Sequence, residues 1–371
     1  MKIGTDQYNT FDTMTMDCWN DRVYYEGKEF PAGQFAAEIL NFAGVIHDPL
    51  LERITVLTAL VDDLSTAEKS KRHDIAAQLK PLLHDTVSWL YTCPPFCYCE
   101  SQGAYEDLEY ALSEERLDRD YEEREEHLPF MALSFCEPIL RILVAIYNFC
   151  LLIRTFEMKY LRGLKRRNAD AFAKAAHECF DEDDSFLILL EQMPFGGVEE
   201  FFSYPRVITG FKYFQDENNE EKWKTAQRVI CKRAIDFYVF DLMNGLHHGH
   251  APSQCQGCGR YFLTINGHIP KYCDGIAPQD SRYTCRQYGA MMHQKEQNKQ
   301  HPVYRLFNTR TDTIRKHHWR GKISDEQRRE ALYLAGNYRD KALMDNDYAA
   351  DGYARDMELG HIYAEAEKRL K

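Results

Sequence analysis

The chain is 371 residues long, 44% hydrophobic and 28% charged, with 13 prolines and 20 glycines. That apolar content offsets ordering entropy, so a largely disordered chain is excluded, and the length suffices for two ordinary domains. A net charge of −12 argues against a protein that coats nucleic acid with its whole surface.

Met1 to Thr10 are polar and lack an apolar core behind a basic start, so no secretory signal is read there. The twelve cysteines are then expected to be reduced thiols of a soluble, cytoplasmic protein, available for burial or for metal. Val23 to Phe30 reads as a short hairpin around Gly27. From about Ala32 the period becomes helical, with apolar residues at three- and four-residue intervals over Gln34–Ala43 and Leu51–Leu64. Ser65 and Glu68 match a capping box for a helix toward Leu83, and a further helix reaching Leu90 is stopped by Pro94 and Pro95. Between Glu106 and Glu126 eleven acids face three arginines, but interleaved Leu108, Leu112 and Leu117 favour a solvated helical face over an acidic binding strip. The most apolar stretch, Pro129 to Tyr160, is interrupted by Glu137, Arg141 and Arg154. It therefore predicts a buried core helix and no membrane span. Asp181–Asp184 reads as a loop or helix start, Asp216–Glu221 as a polar breaker, and Trp223–Leu246 as resumed helix, with a boundary near residue 250.

Charge is divided unevenly. From Cys255 to Glu330, 14 Lys and Arg stand against 7 Asp and Glu. This basic segment carries the one motif with clear chemistry: Cys255-Gln-Gly-Cys258-Gly-Arg-Tyr-Phe, then Cys273, then Cys285. Two residues between thiolates let both sulfurs turn onto one ion, and Gly259 permits the left-handed turn that follows. Backbone N–H groups in such a turn can hydrogen-bond the sulfurs, with Tyr261 and Phe262 packing beneath. Four thiolates make a closed, structural Zn²⁺ site joining the helical body to the basic helices. The spacing is irregular, because eleven residues separate Cys273 from Cys285. The insert Asp274–Thr284 is loop-like and can fold back, while His250 and His268 are rival fourth ligands.

The stretch GHAPSQCQGCGRYFLT…KYCDGIAPQDSRYTCRQYGA resembles the C-terminal region of an uncharacterised bacterial zinc-ribbon family, a domain of unknown function. The resemblance rests on Cys255, Cys258, Cys273 and Cys285 and extends to the following basic helices and Gly321-Lys322-Ile323-Ser324. The family is distantly similar to zinc fingers with a C-G-N-R ending, from which this chain departs with Arg286-Gln287-Tyr288. What the resemblance implies is a zinc-binding fold without an assigned activity.

Beyond the motif, Arg286–Gln300 and a helix restarted by Pro302 and ended by Gly321 are expected, with Val303, Phe307, Ile314 and His317 or His318 on the packing side. Arg305, Arg310, Arg315, Lys316 and Arg320 fall largely elsewhere, with Trp319 nearby. Ser324 and Gln327 form a capping box opening a helix to about Met344. Those cations can lie against nucleic-acid phosphates, or dock on the acidic body of the same chain in a structural or protein-interaction protein. Cys93, Cys97 and Cys99 suggest a second metal or redox pair only faintly, with His84 as the sole nearby ligand. His247, His248 and His250 read as a polar linker, with no nucleophile or carboxylate partner for base chemistry. No phosphate loop, dinucleotide fingerprint, H-E-x-x-H or G-x-S-x-G occurs, so no catalytic residue is nominated and an enzyme is disfavoured. The expected architecture is mainly α: a helical body with a short N-terminal hairpin (1–250), a zinc ribbon (251–290) and C-terminal helices (291–371).

Overall fold

The computed structural model describes residues 13–42, 49–118, 129–191, 206–216, 219–265 and 270–370. The fold is mainly α, and its contacts divide the chain into two compact units, Met1–Lys271 and Tyr272–Lys371.

In the first unit, β1 (Met14–Trp19), β2 (Arg22–Tyr25) and β3 (Lys28–Pro31) form an antiparallel meander. The expected hairpin is its second half. Two long strands, β4 (Val207–Asp216) and β5 (Asn219–Cys231), join it to give the order β3-β2-β1-β5-β4. This corrects the helical reading of Trp223 onward. Trp223, Thr225, Gln227, Val229 and Cys231 alternate with Lys224, Ala226, Arg228 and Ile230, and the period of two is satisfied by pairing with β4 and β1. Helical periodicity resumes only in α9 (Ala234–His247).

The helices of this unit pack on one another and share one core with the sheet: α1 (Gln34–Ile39), α2 (Pro49–Thr66), α3 (Lys69–Leu90), α4 (Gln102–Ala111), α5 (Glu114–Leu117), α6 (Phe130–Phe156), α7 (Ala169–His177) and α8 (Asp184–Glu191). In the acidic run, Leu108, Ala111 and Leu117 are buried as expected of one face of α4 and α5; residues 119–126 lie outside the described residues. The Ser65 capping box does not form. Ser65 lies in the last turn of α2, where its hydroxyl donates to the Asp62 carbonyl, and one continuous helix, α3, replaces the two expected.

By length and composition Phe130–Leu161 can cross a membrane, yet 61% of its most apolar window is buried inside the fold. Ile139, Leu143, Ile146, Phe149, Ile153 and Phe156 are all fully enclosed. Each such side chain contributes about 1.5–3 kcal/mol of burial, which makes α6 the principal core helix.

Two polar devices fix the remaining geometry. Asp241 of α9 accepts the Gly33 and Ala36 amides at 2.9 Å each, capping the start of α1 from a neighbouring helix. Asp17 on β1 accepts from Arg228 at 2.7 Å and from Lys212 at 2.9 Å on the outer face of the sheet. In the second unit, α11 (Pro302–Trp319), α12 (Asp325–Met344), α13 (Tyr353–Asp356) and α14 (Leu359–Leu370) enclose a separate small core of Val303, Ile314, Leu334, Ala335, Met357 and Ile362, and α10 (Cys285–Gln300) packs on α11. Gly321, at φ 69°, ends α11, and Ser324 with Gln327 makes the full capping box of α12.

Gly245 lets α9 approach α1. A Cβ there would sit 2.8 Å from Gly33 Cα and 3.0 Å from the Ala32 carbonyl, both backbone atoms that cannot swing aside. Gly245→Ala gains about 1 kcal/mol of helix propensity but forces the helices apart. A net loss of about 1–3 kcal/mol is expected from urea unfolding; an unchanged or raised midpoint contradicts the close approach.

Burial raises the Asp17 carboxyl, but the Arg228 guanidinium and Lys212 ammonium outweigh it and hold it below the usual carboxylate range. Its contribution to stability is therefore present above about pH 4 and is lost as pH falls through the lowered value. The stability gap between the wild type and Asp17→Asn, followed by chemical denaturation, should be full near neutrality and narrow in acid. A gap independent of pH would show that the ion cluster does not stabilise the sheet.

Candidate metal centre

Four cysteines converge. The sulfurs of Cys255, Cys258, Cys273 and Cys285 all lie within 4.8 Å of one another, and this is the group among the described residues that can hold a metal ion. Cys255, Cys273 and Cys285 are buried and Cys258 is half-buried.

The knuckle is built by a turn between two short strands. β6 (Ala251–Gln254) pairs antiparallel with β7 (Tyr261–Thr264), and the intervening residues must reverse direction tightly. The Cys255 N–H donates to the Arg260 carbonyl at 2.8 Å and the Gly259 N–H to the Cys255 carbonyl at 2.9 Å, with Gly259 at φ 74°. The Gly257 amide points at Cys255 Sγ, 3.4 Å away, which is the charge-spreading contact expected of this turn. Tyr261 packs on the core of the first unit, and its backbone N–H and carbonyl are both bound by the Asn41 side chain, at 2.7 and 3.0 Å.

The long excursion between Cys273 and Cys285 is a hairpin. Ile276–Ala277 (β8) pairs with Asp280–Thr284 (β9), so the chain doubles back on itself. The Cys285 N–H then donates to Gly275 at 2.7 Å, and the Arg286 N–H to Cys273 at 3.1 Å. Eleven residues thus cost almost no distance, and the loop-like insert does bring Cys285 back as expected. Cys285 is the first residue of α10, whose start is fixed by a reciprocal pair: Thr284 Oγ1 accepts the Gln287 amide at 3.2 Å, and Gln287 Oε1 accepts the Thr284 amide at 3.0 Å. That T-x-x-Q pattern is legible in the sequence and was not singled out there. Gly289, one turn on, leaves room for the Tyr272 ring, which a Cβ would strike.

The donor set fits a metal. A tetrahedral thiolate site with metal–sulfur bonds near 2.3 Å places its sulfurs about 3.8 Å apart, within the spread found here. None of the twelve cysteines forms a disulfide. The rival ligand His250 is buried and held elsewhere: its Nδ1 lies 2.9 Å from the Ala32 carbonyl and its Nε2 3.8 Å from Asp21. His247 ends α9 and His248 follows it, so the three histidines are not a loose linker. His268 lies outside the described residues.

The second cysteine cluster does not assemble. Cys93 is buried with its thiol toward the Trp89 carbonyl, Cys99 lies 3.2 Å from the Tyr25 hydroxyl, and Cys97 is exposed. Burial pushes the Cys93 thiol up to about 12, which disfavours the thiolate a metal needs. His84 is bound to Glu109 at 2.9 Å.

Cys258→Ala should abolish stoichiometric metal, measured by elemental analysis of the purified protein, and open the segment around residues 255–290 to protease. Structural zinc supplies about 10–16 kcal/mol to small zinc-dependent folds, so the effect should be large. Unchanged metal content removes Cys258 from the site.

Residues 203–369, somewhat under half of the chain, match a family of unknown function (DUF6076), and the match spans the four cysteines and α10 to α14. No curated protein and no solved structure matches.

Proposed function

We propose that the chain is a cytoplasmic, zinc-stabilised protein that binds nucleic acid through the exposed face of α11. Zn²⁺ is the ion favoured by four soft thiolate donors in tetrahedral reach, although iron takes the same donor set. Four protein ligands close the coordination sphere, so the ion would hold the backbone in place and leave no open position for catalysis.

The observation that carries the binding role is the surface of α11. Arg305, Arg315, Lys316 and Arg320 are exposed, and Arg310 is half-buried. Arg315 is paired with Asp312 at 3.1 Å, but Arg305, Lys316 and Arg320 have no carboxylate partner among the described residues. Positions 305, 309, 312, 316 and 320 fall on one helical face, and Trp319 beside them is 85% exposed. Thr309 and Asp312, the latter paired with Arg315, also lie on this face, where Arg305, Lys316 and Arg320 suit a phosphate backbone and the exposed indole offers a stacking surface for a base. The packing side is the expected one: Val303 and Ile314 are buried, with Phe307 and His317 half-buried. Because the chain as a whole is acidic, binding would be local and sensitive to salt.

The test is a salt titration of binding to labelled single-stranded and duplex oligonucleotides. The wild type should lose affinity linearly in log salt, and Arg305→Ala/Lys316→Ala/Arg320→Ala should reduce the slope by about one per residue removed. Absence of salt-dependent binding, or a slope untouched by the triple variant, leaves a structural or protein-interaction role instead.

A further inference from the structure

The β4–β5 hairpin runs past the part of the sheet that the helices cover. β1 pairs with β5 only over Gln227–Cys231, so the outer half of β5 has β4 alone for a neighbour, and β4 forms the margin of the sheet. Directly paired residues share a face. Val207 and its partner Cys231 lie on the core side with Val229. Val229 and Cys231 are fully buried, whereas Thr209 opposite Val229 is already exposed. The same face continues outward through Phe211 opposite Gln227, Tyr213 opposite Thr225, and Trp223 opposite Gln215. Phe211 is 72% exposed, Tyr213 68% and Trp223 66%. The opposite face is dressed differently: Phe214 meets Tyr24, Lys224 lies over Trp19, and Lys212 and Arg228 hold Asp17. The core-side face thus runs beyond its own cover, carrying three aromatic rings.

We propose that this margin pairs with a second copy of the chain, β4 against β4 in antiparallel register about a two-fold axis through Phe211. Among the described residues no strand pairs with the outer margin of β4, and such a margin, here on a strand of ten residues, is a template for another strand. The strand is self-complementary in this register. Phe211 faces Phe211, Tyr213 faces Thr209, and Lys212, the one charged residue between Val207 and Gln215, faces Gly210 and not its own copy. Across the two-fold axis the two Phe211 rings meet side by side and each Tyr213 covers the partner copy's Thr209, adding apolar contact to the backbone ladder. Pairing would make a ten-stranded sheet with its aromatic rows side by side. This inference is independent of the metal and of α11.

The experiment is analytical ultracentrifugation of the full-length, metal-loaded protein at up to about 100 µM, a range that reveals any dimer of useful affinity. The wild type is expected to sediment as a dimer. Phe211→Asp, which sets two carboxylates against each other at the axis, should halve the sedimenting mass while far-UV circular dichroism and metal content stay unchanged. Val56→Asp, which adds the same charge at an exposed position of α2, should remain dimeric. A photo-crosslinking phenylalanine analogue at position 211 should join two copies of the 207–216 segment. A monomeric wild type, a dimer that survives Phe211→Asp, or crosslinks that land elsewhere would overturn the proposal. So would a monomer whose hairpin is instead protected by oligonucleotide.

Discussion

Four sulfurs within 4.8 Å of one another are the constraint on which the functional half of this chain turns. As bare thiolates they would repel by about 4 kcal/mol per pair at an effective dielectric of 20, so the arrangement favours either protonation or a divalent cation. The backbone spends two separate devices on reaching it. One is a four-residue knuckle between paired strands, with Gly259 in the left-handed region. The other is a hairpin that erases an eleven-residue separation and delivers Cys285 to the first position of a helix. A helix start is a favourable place for a thiolate, since its amides point outward and carry partial positive charge.

The readable part of the sequence was the part where local chemistry decides the conformation. The knuckle, the Gly321 stop and the Ser324/Gln327 box are set by residues within a few positions of one another, and each forms as read. The apolar run of α6 was equally plain, because its apolar side chains recur at helical spacing and fifteen side chains of the helix are buried. What failed were readings that depend on partners distant in the chain. Residues 223–231 carry a period of two whose meaning comes from strands at 14–18 and 207–215, and the strong helical pattern of α9 close behind it masked the change. Ser65 looked like a cap because caps and back-bonded serines share the same composition.

The metal centre was legible in identity but not in support. The four cysteines followed from the knuckle and the resemblance, whereas the hairpin that makes their spacing workable has too few strong β-formers to announce itself. The polar anchors were illegible altogether. Asp241, fully enclosed and capping a helix over two hundred residues away in sequence, and His250, bound to the Ala32 carbonyl, are choices that only the packed arrangement explains.

Asn41 illustrates a different economy. Its side-chain amide occupies both the donor and the acceptor of Tyr261, as a neighbouring peptide unit would. One residue thereby stands in for a missing strand and seals the margin of β7 against recruitment of foreign backbone. Among the described residues no such plug guards β4. The same hazard, an unsatisfied row of amides and carbonyls, is thus neutralised beside the cysteines and left open at the far side of the sheet, so any tendency of this protein to polymerise or swap strands should begin at the hairpin and spare the ribbon.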